Sequence, residues 1–236
     1  EKGLNASMLS LYVMDKIKFF DRYVLGLKED KVEETIASSS LGSIIHDSLE
    51  LLYKELVGKE VKIEKLNKIK EQIDKVVAEK LISYVRRNNI SKGLNVIIIE
   101  TAKKYIKKVI ENDINTIKRK NSLKIISVEK EFDTEIIKGK RKYKIRGKID
   151  RIDMINDEIR VIDYKTGKRL EKRDLEIKKK EDLRTKKGVY NLQLMIYAIG
   201  IITKTKKQRV KCGIISLKNM KAGTLEAVYE GNKYLN

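Results

Sequence analysis

Two aspartates and a lysine occur at spacings that bring them together on a sheet. In the segment IRVIDYK, strand alternation points Asp163 and Lys165 to one face and Tyr164 to the other. Asp150 comes thirteen residues before Asp163, a separation that a hairpin folds back into adjacency. The sequence therefore predicts two carboxylates and an ammonium group at one point of a sheet.

This combination of groups is typical of a metal-assisted reaction. Two adjacent carboxylates repel each other unless a cation lies between them, and oxygen ligands suit Mg2+ or Mn2+ better than zinc. Such a metal activates water and neutralises charge on a phosphate, while Lys165 can orient the water or stabilise the transition state. The pattern predicts phosphodiester hydrolysis, although a lone Asp-x-Lys on a strand is more often a surface ion pair.

The composition indicates a polyanionic partner. The net charge is +20, and each lysine or arginine that meets a phosphate releases condensed counterions. Nucleic acid is therefore the expected partner ahead of an anionic membrane, and a genome that favours lysine is the alternative explanation. The single cysteine, Cys212, supplies neither a disulfide nor a cysteine-rich metal site, which fits a reducing cytoplasm.

Hydrophobic periodicity divides the chain into a helical half and a strand-rich half. The longest apolar stretch, residues 194–202, falls short of the ~20 residues of a membrane-spanning helix, so we expect a soluble protein. We expect one domain over residues 1–236, helical to residue 120, in a chain cut from a longer protein. Helices are predicted at 7–24, 41–56, 63–87, 94–118 and 189–203, antiparallel strands at 124–136, 143–155 and 159–165, a charged excursion at 166–188 and a last strand at 210–217.

Four motifs follow one another in a recognisable order. They read GSIIH at 42–46, GKIDRID at 147–153, VIDYKTG at 161–167 and QLMIYA at 193–198. This series resembles the signature of the RecB-like branch of the PD-(D/E)xK nucleases. The resemblance implies an α/β fold with a restriction-endonuclease-like core, in which a mixed sheet of about four to five strands is flanked by helices, after a helical N-terminal half.

The resemblance also implies a role for each matched residue. It makes His46, Asp150 and Asp163 metal ligands, adds the backbone carbonyl of Tyr164 as a further ligand, and makes Lys165 the catalytic lysine. The metal is expected to be Mg2+ or Mn2+. The substrate is expected to be DNA.

Two further motif residues and one acidic position complete the expected site. Gln193 and Tyr197 lie four residues apart on one helix face, and the resemblance implies catalytic roles in orientation and phosphate contact. An acidic residue often precedes the GxID strand in the family. Glu129 aligns loosely with that position, and Glu131, two residues on and on the same strand face, is the alternative.

Basic side chains are predicted to bind the DNA backbone rather than its bases. The candidates are Arg146, Arg151, Lys168 and Arg169, with pairing to carboxylates or solvated strand charges as the alternatives for the two arginines beside Asp150. The sequence contains neither a zinc-finger pattern nor an aromatic RNA-binding motif, so we expect cutting that is independent of sequence.

The opening segment, residues 9–27, resembles the start of RecB-type and AddB-type repair nucleases. Asp15 and Lys16 stand where a Cys-Pro pair is often found, and one cysteine cannot hold an iron–sulfur cluster, so no cluster is expected. The resemblance favours an exonuclease that works beside a helicase domain or subunit, with no membrane role. A structure- or sequence-specific endonuclease and a catalytically silent DNA-binding scaffold are the alternatives.

Overall fold

The computed structural model describes residues 3–27, 38–84, 94–185, 188–205, 209–229 and 234–235. The helices are α1 (Ala6–Met14), α2 (Lys16–Phe19), α3 (Ser38–Tyr53), α4 (Ile63–Glu71), α5 (Ile73–Ile82), α6 (Leu94–Lys118) and α7 (Gly188–Thr205). The strands are β1 (Leu123–Lys138), β2 (Arg141–Ile155), β3 (Glu158–Lys165), β4 (Glu176–Ile177), β5 (Val210–Ser216), β6 (Thr224–Glu226), β7 (Val228–Tyr229) and β8 (Tyr234–Leu235). The prediction of a helical first half and an α/β second half is confirmed.

The central sheet is mixed, as predicted. Among the described residues it has six strands, of which five run in the order β1-β2-β3-β5-β6 and the sixth, β8, also pairs with β5. The neighbours β1, β2 and β3 are antiparallel, whereas β5 lies parallel to β3 because α7 carries the chain back across the sheet. Arg151 pairs with Ile162, so Asp150 and Asp163 occupy neighbouring positions on β2 and β3.

Helices cover both faces of this sheet. One apolar cluster joins α3, α4, α5 and α6 to side chains such as Ile162 and Ile215. A second joins α7 and the start of α1 to Ile152, Val161 and Ile214 on the opposite face. The two faces alternate along β3, so Tyr164 packs against the first layer while Asp163 and Lys165 point towards α7. That residues 1–236 form one domain stays a prediction.

Two predicted helices are shorter than their periodicity suggested. The helix predicted at 7–24 is interrupted at Asp15, whose extended backbone ends α1 and whose carboxylate accepts a hydrogen bond from the Lys18 amide to cap α2. A π-helical turn over Phe20–Val24 follows. The helix predicted at 63–87 breaks at Gln72, and its last three residues lie outside the described residues.

The charged excursion after β3 is partly helical. It contains two short 3-10 turns, Lys172–Leu175 and Lys180–Arg184, on either side of β4. Ser216, at the end of β5, donates a hydrogen bond to the Lys168 carbonyl and accepts one from the Leu170 amide. Among the described residues, no helix is long and apolar enough to cross a membrane.

Candidate metal centre and catalytic residues

Three side chains from separate elements meet at one end of the β2–β3 pair. His46 comes from α3, Glu129 from β1 and Asp150 from β2, and one ligand atom of each lies within 4.8 Å of the others. The Nδ1 atom of His46 is 3.3 Å from Glu129 Oε1 and 3.4 Å from Asp150 Oδ1. The histidine and the first aspartate therefore meet as the motifs predict, and Glu129 joins them.

Glu129, rather than Glu131, reaches this centre. Its backbone adopts a left-handed conformation, with a φ of 47°, and its carboxylate also lies 2.7 Å from the ammonium group of Lys148. Lys148 was not predicted, although its position two residues before Asp150 on a strand was an available signal. Burial alone would raise the pKa of Glu129, but hydrogen bonds and charges from His46 and Lys148 outweigh burial and lower it.

Asp163, Lys165, Gln193 and Tyr197 form a second group beside the first. The Gln193 amide nitrogen donates to Asp163 Oδ1 at 2.9 Å and to the Tyr197 hydroxyl at 2.6 Å. The Gln193 carbonyl accepts a hydrogen bond from the Lys165 ammonium at 2.9 Å. That ammonium also lies 2.7 Å from Asp163 Oδ2. Gln193 therefore holds the lysine and the aspartate at a fixed distance.

Tyr164 connects the two groups through its backbone. Its amide donates to Asp150 Oδ2 at 2.7 Å, and its carbonyl oxygen lies 3.2 Å from His46 Nε2. Its ring points the other way, where its hydroxyl lies 3.5 Å from Arg151. The Tyr164 carbonyl, which is the predicted backbone ligand, therefore lies beside His46. Packing of the Tyr164 ring on the opposite face of the sheet determines where this carbonyl lies.

Close packing fixes Tyr197 against the sheet. Its ring meets the edge of Phe132 at a centroid distance of 6.2 Å. A Cβ added at Gly147 would lie 2.7 Å from the Phe132 ring, and one added at Gly200 would lie 2.5 Å from it. Any larger residue at either glycine would displace Phe132. The Tyr197 ring, which packs on Phe132 and accepts the Gln193 hydrogen bond, would then move as well.

The comparison with known protein families agrees with this geometry. The family model for the PD-(D/E)XK nuclease superfamily matches residues 4–234. The chain belongs to this superfamily. Nearly every described element therefore lies inside the matched region, including α3 with His46 and the strands with Asp150 and Asp163.

Individual relatives of this nuclease are more distant. Over 219 residues, 86% of the chain, it is 26% identical to an ATP-dependent helicase/deoxyribonuclease subunit from Alkaliphilus metalliredigens. It is 27% identical to the protein of the same name from Lactobacillus delbrueckii over 181 residues, 69% of the chain. The nuclease spans 18% and 15% of the length of these two relatives.

Among solved structures, the nuclease is similar to SSO0001. The TM-score is 0.27 at 15% identity, over 95% of this chain and 80% of that one.

The residues of the centre fit a divalent cation. A ring nitrogen and two carboxylates converge beside a backbone carbonyl, which is a mixed nitrogen and oxygen donor set. In addition, the buried Asp163 Oδ2 receives no well-aligned hydrogen bond from any described residue, and its charge is compensated by the nearby charges of Lys165 and His46. Burial alone would lower the pKa of His46, but Asp150 and Glu129 raise it to about 10. A metal bound by these two carboxylates would replace the proton of His46, because only the neutral imidazole is a ligand.

Ionisation of Asp163 lowers the free energy of unfolding. Burial of its carboxyl and the charge of Asp150 raise its pKa to about 6, against the opposing effect of Lys165. A carboxyl whose pKa is raised by folding destabilises the fold once it ionises. The penalty is therefore complete above a pH of about 6 and disappears towards the unfolded pKa of about 4.

We expect Asp163→Asn to stabilise the nuclease in EDTA at neutral pH. The gain in unfolding free energy should be roughly 1–3 kcal/mol, and it should disappear as the pH falls towards about 4.5, where wild-type Asp163 is protonated. Thermal unfolding of both proteins across this pH range measures the difference. Asp157→Asn, the same change in an exposed turn, is the control. A difference that does not change with pH would contradict the raised pKa.

The predicted DNA-binding residues occupy different environments. Arg146, Lys168 and Arg169 are exposed and remain candidates for phosphate contacts. Arg151 is 1% exposed and points between the sheet and the helices, so the prediction that it contacts DNA is wrong. Strand alternation is the physical reason, because the neighbour of Asp150 on β2 faces the opposite side of a sheet that is covered on both faces.

Proposed function

We propose that the chain is a divalent-metal-dependent deoxyribonuclease that acts as a sequence-independent exonuclease. The observation that carries this proposal is the meeting of His46, Glu129 and Asp150 directly beside the Asp163–Lys165 pair. A metal-binding group next to a buried carboxylate and an ammonium suits the hydrolysis of phosphate esters. Membership of a nuclease superfamily supports the same chemistry.

Each residue of the site has a proposed task. His46, Glu129, Asp150, Asp163 and the Tyr164 carbonyl would hold Mg2+ or Mn2+, which when bound acidifies water and neutralises charge at the phosphate. Glu129 replaces no predicted ligand but adds to the set. In hydrolysis the water oxygen would form a bond to phosphorus as the P–O bond to the leaving strand breaks, the water would lose a proton to solvent, and the leaving oxygen would take one up from solvent.

Lys165 would stabilise that reaction through its charge. Its ammonium is fixed by Asp163 at 2.7 Å and by Gln193 at 2.9 Å, so it needs little reorganisation to face the negative charge that grows on the phosphate. Tyr197 anchors the Gln193 amide, and burial together with the charge of Asp163 raises the pKa of Tyr197. The phenol therefore stays neutral and serves as an anchor rather than a base.

Two observations support DNA as the proposed substrate: the positive charge of the chain and the names of its relatives. The chain carries a net charge of +20, and exposed Arg146, Lys168 and Arg169 lie on the elements that carry the catalytic residues or directly after them. Two relatives are named as helicase/deoxyribonuclease subunits. We therefore propose that this chain works beside a helicase domain or subunit, in the cytoplasm, on free DNA ends.

Digestion of linear and closed circular DNA tests this proposal. We expect acid-soluble nucleotides from linear DNA in Mg2+ or Mn2+, none in EDTA, and none from closed circles. Cutting of circles would replace the exonuclease proposal with an endonuclease. Binding without cleavage in either metal, in a chain shown to be folded, would favour the silent scaffold instead.

A further inference from the structure

A cleft of about 870 Å³ lies between the N-terminal helices and the catalytic face of the sheet. Its catalytic side includes Gln193 and Tyr197, and its floor includes Lys148, which pairs with Glu129 of the candidate metal centre. Its outer side includes Arg22 and Tyr23 from the π-helical turn. The cleft therefore connects the N-terminal segment to the catalytic residues.

A row of aromatic rings leads away from the outer side of this cleft, which it meets at Tyr23, and we call it the aromatic wall (residues 12–23). Tyr12 meets Phe19 edge-on at a centroid distance of 5.2 Å, and Phe19 meets Tyr23 at 5.4 Å. Cations lie over both outer rings, with Lys16 at 5.8 Å from Tyr12 and Arg22 at 5.6 Å from Tyr23.

The wall ends in an unusual backbone segment. Phe20, the first residue of the π-helical turn, is 50% exposed although it is a large apolar residue. Such turns are rare and occur frequently at functional sites. An exposed ring here is not explained by the core, because neither apolar cluster of the described residues includes it.

We infer that the aromatic wall binds a single strand of DNA and guides it along the cleft to the catalytic residues. This inference rests on the proposed function. Tyr23 packs against the face of an unpaired base in the cleft, and the exposed Phe20 packs against a further base outside it. Arg22 and Arg146, which line the cleft, contact phosphates. A duplex offers no free base faces for such contacts, so the wall selects an unpaired strand.

The charges in the cleft support stacking as the main interaction. Glu131 and Asp133 line the cleft together with Arg22 and Arg146, and the charge of Lys148 is already matched by Glu129. The local excess of positive charge is therefore small. Binding along the wall should depend on rings more than on salt, unlike binding to the basic surface elsewhere.

The same segment also carries exposed aliphatic side chains. Ile17, Val24 and Leu25 are 76%, 58% and 56% exposed, and exposed aliphatic residues are typical of protein interfaces. Their side chains offer no flat face to a base. The continuity of the cleft with Gln193 and Tyr197 favours DNA, and the experiment separates the two occupants.

The test is fluorescence anisotropy of the whole chain in EDTA with a labelled oligothymidylate and a matched duplex. Tyr23→Leu keeps apolar volume but removes the ring, and should weaken single-strand binding roughly 5- to 100-fold while leaving duplex binding unchanged. Tyr23→Phe should retain wild-type affinity. Tyr143→Leu, at an exposed tyrosine outside the cleft, is the matched control. A strand containing 2-aminopurine should be quenched by wild type and not by Tyr23→Leu.

Two outcomes would overturn the inference. Unchanged single-strand binding by Tyr23→Leu would assign the wall to a protein surface instead. An equal loss on both substrates would mean a general folding or charge effect. Digestion of linear DNA by the wild type is measured in a separate assay. If single-strand binding depends on Tyr23 but no digestion occurs, the proposed nuclease activity is wrong and the inferred role of the aromatic wall stands.

Discussion

Asp150→Asn is expected to lower the rate of DNA digestion by at least about three orders of magnitude. Asp150 contacts both the candidate metal centre and the Tyr164 backbone that connects it to Asp163 and Lys165. It lies 3.4 Å from His46 and accepts the Tyr164 amide hydrogen bond at 2.7 Å. The amide keeps the shape of the side chain but removes the charge that a divalent cation requires. Digestion rates measured over a range of Mg2+ and Mn2+ concentrations provide the test.

Calorimetric measurement of Mn2+ binding separates the role of Asp150 in holding the metal from the role of Lys165 in the reaction. Asp150→Asn should lose measurable binding, whereas Lys165→Met should keep it and still lose roughly 10²- to 10³-fold in digestion rate. Asp157→Asn, in the exposed turn that joins β2 to β3, should change neither quantity. Retained digestion by Asp150→Asn would remove this aspartate from the metal centre.

The position of the site could be predicted because it depends on short-range rules. A thirteen-residue separation and strand alternation were enough to bring Asp150 beside Asp163, and the register of β2 with β3 confirms that adjacency. The four motifs then indicated His46 and Gln193, which reach the same point from α3 and α7. Local periodicity also predicted α6, whose bounds agree with the structure.

Other features could not be predicted because they depend on distant partners or unusual backbone. A glutamate with a positive φ is uncommon, so only a loose alignment, and no local rule, favoured Glu129 over Glu131 as the residue that reaches His46. The break at Asp15 was hidden by continuous helical periodicity on both sides. Arg151 looked like a surface charge because its main partner, Asp113, comes from α6.

Arg151 lies at the centre of a buried ionic network behind the catalytic face. Its guanidinium donates to Asp113 at 2.7 and 3.1 Å and to Asp153 at 2.7 Å, and it lies over the Tyr53 ring at 5.1 Å. Burial alone would lower the pKa of Arg151, but Asp113 and Asp153 outweigh burial and raise it. The Tyr164 hydroxyl borders the same group, so this network supports the backbone of the metal centre from behind.

We expect Arg151→Met to lower the free energy of unfolding by about 3–5 kcal/mol. Removing the guanidinium leaves the Asp113 carboxylate buried with the Tyr53 hydroxyl as its remaining partner, whereas Asp153 keeps Arg160 at 2.8 Å. Urea unfolding followed by circular dichroism measures the change.

Two further variants decide whether unpaired charge is the cause. Arg160→Met removes a cation that also binds Asp153 but is 16% exposed, so it should cost less than Arg151→Met. Adding Asp113→Asn to Arg151→Met should recover part of the loss, because the uncompensated carboxylate is then neutral. If the double variant is no more stable than Arg151→Met alone, the cause of the destabilisation is the loss of packing against the Tyr53 ring rather than the loss of charge pairing.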